Sequence, residues 1–359
     1  MSRSHRYVAA LAAAVLLGGS ACSADQSATD APGSGAPSAA SPVPSSAAPS
    51  PAASAATSAS LSASSASASG PTPQPPSTSG HLGAAAGQRP AVAPVAELPG
   101  GGTTIFPDKT YVALYGYPGT RALGVLGEQG TAATVKRAKA MAAKYRPHTK
   151  RTVVPALEII ATIAAGSAGS DRNYSTEAPI SRLRPLVDAA GESGVYVVLD
   201  LQPGRASLLS QAKLYQELLQ EPHVGLALDP EWKLTAKQKP LRQIGSVHVD
   251  EINEVADWLA TLTRVSGLPQ KMLLLHQFQT RMIRHRSALE TGHPELAIAI
   301  QMDGQGGQSA KRGTWAAIRR NAPDGVVFGW KNFHDEDHPM LGPKATMRIK
   351  PQPRWVSYQ

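Results

Sequence analysis

The chain has 359 residues, with 35 Lys+Arg against 26 Asp+Glu, a formal charge of +9 and one cysteine. A single cysteine excludes a disulfide framework, so the folded part must be held by a buried core. Three basic and three acidic residues precede residue 101, so the whole positive excess belongs to residues 101–359; no basic-aromatic module for nucleic acid accompanies it, and anionic wall polymers or lipid head groups suit it better.

Arg3 and Arg6, the apolar stretch at 7–17 and the small residues at 18–22 form a secretory signal whose core is too short to span a membrane as a stable helix. The residues L-L-G-G-S-A-C ending at Cys22 resemble the lipobox of bacterial lipoproteins, with Gly19 where Leu is usual. The resemblance implies a lipid on Cys22 and attachment to the outer face of the cell membrane. The alternative is ordinary cleavage that leaves a free thiol, a liability in a secreted chain. Residues 23–102 are Ser, Ala, Pro and Gly with scarcely a charge, a composition expected to stay disordered and to serve as a tether. Residues 103–359 remain as one folded domain of about 257 residues.

In that domain short apolar runs alternate with amphipathic stretches. A run at 111–117 is followed by a helical pattern at 132–145. A run at 153–163, with Glu158 in its middle, leads through a polar loop at 166–177 to a helix at 180–192. The third run, at 195–205, precedes a helix at 208–219, and the fourth, V-G-L-A-L-D-P-E-W, spans 224–232. A helix at 249–265 leads to runs at 271–279 and 296–304, then a helix at 311–321, a run at 325–333 and a weak last one at 354–358. Strands alternating with helices predict right-handed βαβ units, and eight of them in this length predict an α/β fold of the (β/α)8, TIM-like barrel type. Asp200, Asp229, Glu231, His276, Gln301 and Asp303 fall at the predicted carboxyl ends of strands, the face where such barrels carry chemistry. No Gly-rich nucleotide fingerprint comes after the first strand, so no nucleotide cofactor, nor any other, is expected.

The D-P-E-W tip sets two carboxylates two residues apart, and in a continuing strand both would project to one side. Paired acids there fit glycoside hydrolysis, which needs one protonated carboxyl for the leaving oxygen and one ionised. Glu231 is the candidate acid, with Trp232 as an apolar wall, Asp229 as its assistant and Asp200 as the next carboxylate within reach. Asp200 could instead be satisfied by loop amides.

This tip resembles the Asp-x-Glu ending of the fourth strand in family 18 chitinases and family 25 lysozymes. Gln301-Met302-Asp303 is similar to the chitinase Met-x-Tyr-Asp, and Trp355 lies where a chitinase has its last-strand tryptophan. Leu226 and Leu228 stand where that signature has its earlier aspartates. The resemblance implies Glu231 as acid, supported by Asp229 and Asp303. The chain as a whole resembles secreted lipoproteins of actinobacteria.

Residues 330–338, W-K-N-F-H-D-E-D-H, offer oxygen and imidazole groups to a cation, but adjacent residues rarely converge on one ion, and no metal is assigned. Lys331 instead suits pairing with a strand-end acid. His276 could ligate, act as a base or be a hydrogen-bonded core residue. Gln202, Gln277, Gln301, Gln305 and Asn332 could read sugar hydroxyls, and Tyr115, Tyr117, Trp232, Trp330 and Trp355 could stack on sugar faces. The expected partner is a wall or extracellular polysaccharide. The rivals are a non-catalytic carbohydrate-binding or wall-organising lipoprotein, and a metal-dependent phosphodiesterase barrel built on His276 and residues 334–338.

Overall fold

The strands are readable as two interleaved sets of side chains. In the sixth, Ile298, Ile300 and Met302 face one way and Ala297, Ala299 and Gln301 the other, the period-two alternation of a pleated strand. The computed structural model of the protein describes residues 95–359; the signal segment, Cys22 and the tether as far as residue 94 lie outside the described residues. Eight parallel strands form the frame: β1 (Lys109–Gly116), β2 (Thr152–Ala164), β3 (Tyr196–Leu201), β4 (Val224–Leu228), β5 (Lys271–Gln277), β6 (Leu296–Met302), β7 (Val327–Asn332) and β8 (Trp355–Tyr358). Each pairs with the next, and β1 pairs with both β2 and β8, which closes the barrel.

The outer layer comprises α1 (Thr131–Ala143), α2 (Ile180–Glu192), α3 (Leu208–Leu214), α4 (Val249–Val265) and α5 (Gln308–Arg319). In α4 the buried stripe Val249, Ile252, Val255, Ala256 and Leu259 has helical spacing, and Asp250 and Glu251 sit in its first turn, where the helix dipole favours them. The helix expected at 208–219 is broken at Tyr215, whose hydroxyl donates to the carbonyls of Ala161 and Ala178. The polar loop at 166–177 ends in a short antiparallel strand, Ser175–Glu177, on the end of β2. Between β5 and β6 the chain crosses with two 3-10 turns and no α-helix, pinned by pairing of Val247–His248 with Ile283–Arg284. Among the described residues no helix is long and apolar enough to cross a membrane.

The alternation produces two cores. Outward-facing Leu157, Ile159, Leu199, Leu226, Leu228, Leu273, Leu275 and Ile300 pack under the helices. Inside the barrel, small residues (Ala113, Ala156, Ala227, Ala299) alternate with Tyr111, Tyr196, Met272, Leu274 and Trp355. Tyr111 meets Tyr196 edge-on at 5.2 Å between ring centroids and Trp355 at 6.2 Å, so aromatic rings fill the amino-terminal half of the lumen. Leu98, in the turn at 98–102, is buried against this inner core, so packed structure begins a few residues before the expected boundary at 103.

The need for glycine at 225 comes from this packing. A Cβ there would lie 2.7 Å from the Met272 carbonyl oxygen and 2.7 Å from the Tyr196 hydroxyl. Gly225→Ala is therefore expected to push β4 away from β5 and cost about 1–3 kcal/mol, read as a lowered urea midpoint at unchanged slope.

Candidate active site

With aromatics filling its lower half, the lumen has room for polar groups only at the carboxyl ends of the strands. The inward positions there are Tyr115 on β1, Glu158 on β2, Asp200 on β3, His276 on β5, Gln301 on β6 and Lys331 on β7, with Asp229 and Asp303 one residue beyond β4 and β6. All eight are buried.

His276 is the hub. Its Nε2 lies 2.6 Å from Glu158 Oε1 and its Nδ1 2.7 Å from Asp303 Oδ2, with Asp229 Oδ2 at 3.7 Å and Asp200 Oδ1 at 4.0 Å. Burial favours a neutral ring, but Asp200, Asp303, Glu158 and Asp229 outweigh it and raise the imidazole well above its ordinary range. Lys331 Nζ lies 3.1 Å from Asp303 Oδ1 and 3.6 Å from the centre of the Tyr115 ring. The Tyr115 hydroxyl donates to Asp200 Oδ2 at 2.9 Å and accepts from Gln202 Nε2 at 3.2 Å.

Above this network opens a cleft lined by Gln202, Asp229, Glu231, Trp232, Phe278 and Asp303, among others. One carboxyl oxygen from each of Asp229, Glu231 and Asp303 lies within 4.8 Å of the others. Their environments push them apart. Burial, then the charge of Asp303, raises Glu231 to about 8; burial and Glu231 raise Asp229 well above the carboxylate range. Burial works the same way on Asp303, yet the Lys331 ammonium and the His276 ring hold it below its ordinary value. Below the cleft, burial lifts Asp200 to about 6 against the pull of His276. At neutral pH the cleft thus presents a neutral carboxylic acid, Glu231, beside an ionised one, Asp303. Such pairs divide acid and base roles in enzymes.

Strand alternation does not place the acidic tip. β4 ends at Leu228, and Asp229 caps a single 3-10 turn, Pro230–Trp232, accepting from the Glu231 amide. The turn, with Pro230 fixing its first residue, swings Glu231 to the cleft wall. Gly245 N–H donates to the Glu231 carbonyl at 2.6 Å and holds the turn from above.

Several expected binding residues lie elsewhere. Trp330 faces outward, because Lys331 takes the inward position; its ring packs edge-on against Trp315 of α5 at 5.7 Å, and its indole N–H donates to Asn332. Gln277 faces outward beside inward His276, and its amide is taken up by the Thr280 carbonyl and Arg286. Trp355 belongs to the lower lumen. Gln301 points inward but sits in register with His276 beneath the cleft, and its buried amide has no protein partner. Gln202 lines the cleft, though its oxygen already accepts from Ala164 N–H. Trp232, Gln305 and Lys331 line the cleft. Asp200 and His276 belong to the layer below it.

The loop at 334–338 does not gather ligands for an ion. Asp337 is buried and bonded to Lys311 Nζ at 2.5 Å and to the amides of Gly306 and Phe333, while His334, Asp335 and His338 are exposed. Asp200, Asp229 and His276 lie close enough together to suit a metal. Both His276 nitrogens already face carboxyl oxygens at hydrogen-bonding distance, so the ring is taken up by its neighbours. Sequence reasoning assigned no role to Glu158, although a lone carboxylate inside an apolar run of this length was the available signal.

No family model matches the chain, and no curated protein matches it in sequence. Among solved structures, a xylanase and α-amylase inhibitor protein, XAIP-II, from Scadoxus multiflorus is similar over 70% of this chain and 92% of its own, at 13% identity and a TM-score of 0.39. A dihydropteroate synthase from Burkholderia cenocepacia is similar over 70% of this chain and 86% of its own, at 11% identity and a TM-score of 0.29. Proline utilization A from Bradyrhizobium japonicum matches over 70% of this chain and 26% of its own, at 13% identity and a TM-score of 0.33. Likeness at this level carries no argument about activity; the barrel rests on its own strand pairing.

Proposed function

We propose that the barrel is a glycoside hydrolase acting on a wall or extracellular polysaccharide, with Glu231 as the proton donor. The observation that carries this reading is the Glu231 carboxyl, pushed up to about 8 by burial and by Asp303, within 4.8 Å of an Asp303 carboxyl held low by Lys331 and His276, on the wall of an open cleft. Glycosidic cleavage needs a carboxylic acid still protonated at working pH, delivering its proton to the leaving oxygen, and a negative charge facing the sugar as it turns cationic. Asp303 supplies that charge, and Asp229 shares the proton of its neighbour. The short spacing among these acids is below the separation of about 6.5–9.5 Å that inverting enzymes leave for a water. Around them Gln243, Gln279 and Gln305 offer amides to hydroxyl groups, and Trp232 and Phe278 offer apolar faces. Four acids line the cleft, Asp229, Glu231, Asp303 and Glu336, against one cation, Lys331. With the Asp229 and Glu231 carboxyls pushed up by burial and Asp303 offset by Lys331, a neutral glycan fits this wall. The test is release of reducing ends from purified wall glycans by wild type and by Glu231→Gln. Binding of glycan without turnover by wild type would replace this reading with a non-catalytic carbohydrate-binding protein.

The reading includes a lipid anchor at Cys22 that keeps the domain at the cell surface, supported by the residues before it. Cys22→Ser is expected to move the protein from the membrane fraction to the medium and to abolish incorporation of labelled fatty acid. Equal membrane retention of the variant would remove the anchor.

A further inference from the structure

We propose that His276 is held as a permanent imidazolium, a cation built into the barrel, and that Glu158 is the positioning residue that keeps it so. The resemblance to known hydrolases reaches neither residue, and neither lines the cleft. The inference rests on geometry. Both ring nitrogens have a carboxyl oxygen within 2.7 Å, one from Glu158 on β2 and one from Asp303 just beyond β6. A neutral imidazole has one donor and one acceptor nitrogen and can donate to only one of the two carboxyl oxygens; a ring that donates at both ends serves both. The groups facing the ring are Glu158, Asp200, Asp229 and Asp303, together with the Tyr115 ring at 6.2 Å; the nearest other cation, Lys331, lies 3.1 Å from the far oxygen of Asp303. Four acids therefore surround the ring, and none of the groups close to it is positive.

The arrangement works outward to the cleft. Glu158 fixes Nε2, so Nδ1 points at Asp303 and not elsewhere. Imidazolium on one oxygen of Asp303 and ammonium on the other keep that carboxylate ionised and oriented, while Glu231, which lacks such a partner, stays neutral. Two fixed cations, one of them the His276 ring, thereby separate the roles of two neighbouring acids. Burial makes the charge costly unless every donor is matched, and Glu158 supplies the match on the side away from the cleft. Deleting Glu158 frees Nε2, lowers the affinity of the ring for its second proton and lets Asp303 compete for it.

The link to catalysis rests on the hydrolase reading, but the charge state does not, and the experiment separates them. In 15N-labelled protein, the His276 ring is expected to show two protonated nitrogens throughout about pH 5 to 9. Glu158→Gln, which keeps the shape and can donate in place of accepting, is expected to give a ring that loses a proton within that range; Glu158→Asp should hold it partly. A neutral tautomer in wild type at pH 7 would overturn the proposal, and this measurement needs no variant to fold and no substrate. So would a Glu158→Gln ring that stays doubly protonated to pH 9. If wild type also turns over a glycan, Glu158→Gln should shift the pH profile of kcat with little change in KM, as a merely structural role would not. Absence of turnover with the doubly protonated ring present would count against the hydrolase reading alone.

Discussion

Glu231→Gln should lower kcat on any glycan the protein hydrolyses by about 100- to 10,000-fold, the usual contribution of a positioned general acid, while Kd for the same glycan stays within about twofold. The amide has the size and hydrogen-bonding capacity of the acid but no proton to transfer. The same group sets the alkaline limit of wild type. A proton donor whose carboxyl sits at about 8 is competent below that pH, and activity should decline as the pH rises through it. In Glu231→Gln that limb should vanish from the residual rate. Asp229→Asn should cost less, because burial and the neighbouring Glu231 push the Asp229 carboxyl well above the carboxylate range and Asp229 only supports Glu231. Asp303→Asn should cost more than Asp229→Asn, since it removes a carboxylate held ionised in the cleft and leaves Lys331 without its partner. Full turnover in Glu231→Gln would assign proton delivery to another carboxyl, and Asp200, at about 6 beneath the cleft, is the next to test.

The barrel was legible because its strands are apolar runs of the right length, separated by stripes of helical period, and the boundaries of α2 and α4 match their patterns alone. The carboxyl-end placement of Asp200, Asp229, His276 and Asp303 was legible for the same reason: a polar residue that ends an apolar run ends a strand. The direction each side chain takes was not legible. Trp330 and Lys331 are neighbours, so one faces the lumen and the other the helices. The residue types favour the wrong assignment, since a tryptophan at a strand end reads as a binding face and a lysine as a surface group. Gln277 and His276 pose the same problem. Parity is fixed only by the register across the sheet, through pairs such as His276 with Gln301 and Lys331 with Ser357, and register is a tertiary fact. Glu158 was hidden in another way. It lies inside a run, not at its end, and becomes meaningful only when β5 brings His276 opposite it across the lumen, 118 residues later in the chain.

His276→Leu should destabilise the fold by about 3–5 kcal/mol at neutral pH, the usual consequence of removing one partner from a buried, hydrogen-bonded ion pair. Its pH dependence distinguishes lost charge from lost packing. Without the ring, burial and mutual repulsion act unopposed on Asp200 and Asp229, already raised in wild type, and Asp303 keeps only Lys331. A carboxyl whose folded pKa lies above its unfolded value contributes stability below the unfolded pKa, and that contribution is lost as the pH rises through the folded value. Asp200 and Asp229 cost both proteins alike just above pH 4, but Asp303 changes from a lowered to a raised carboxyl, so the variant should fall behind wild type from about pH 4 upward. Wild type takes a similar course at higher pH, for His276 itself has a raised folded pKa. Its ion-pairing contribution is complete below the unfolded histidine value of about 6.5 and declines above it, as the folded state must draw a proton that the unfolded chain has released. The deficit of His276→Leu, measured by urea unfolding of both proteins, should thus widen between about pH 4 and pH 6.5 and then run level. A deficit independent of pH across that interval would reduce the ring to a packing element, and the imidazolium would have no part in holding the acids of the cleft apart.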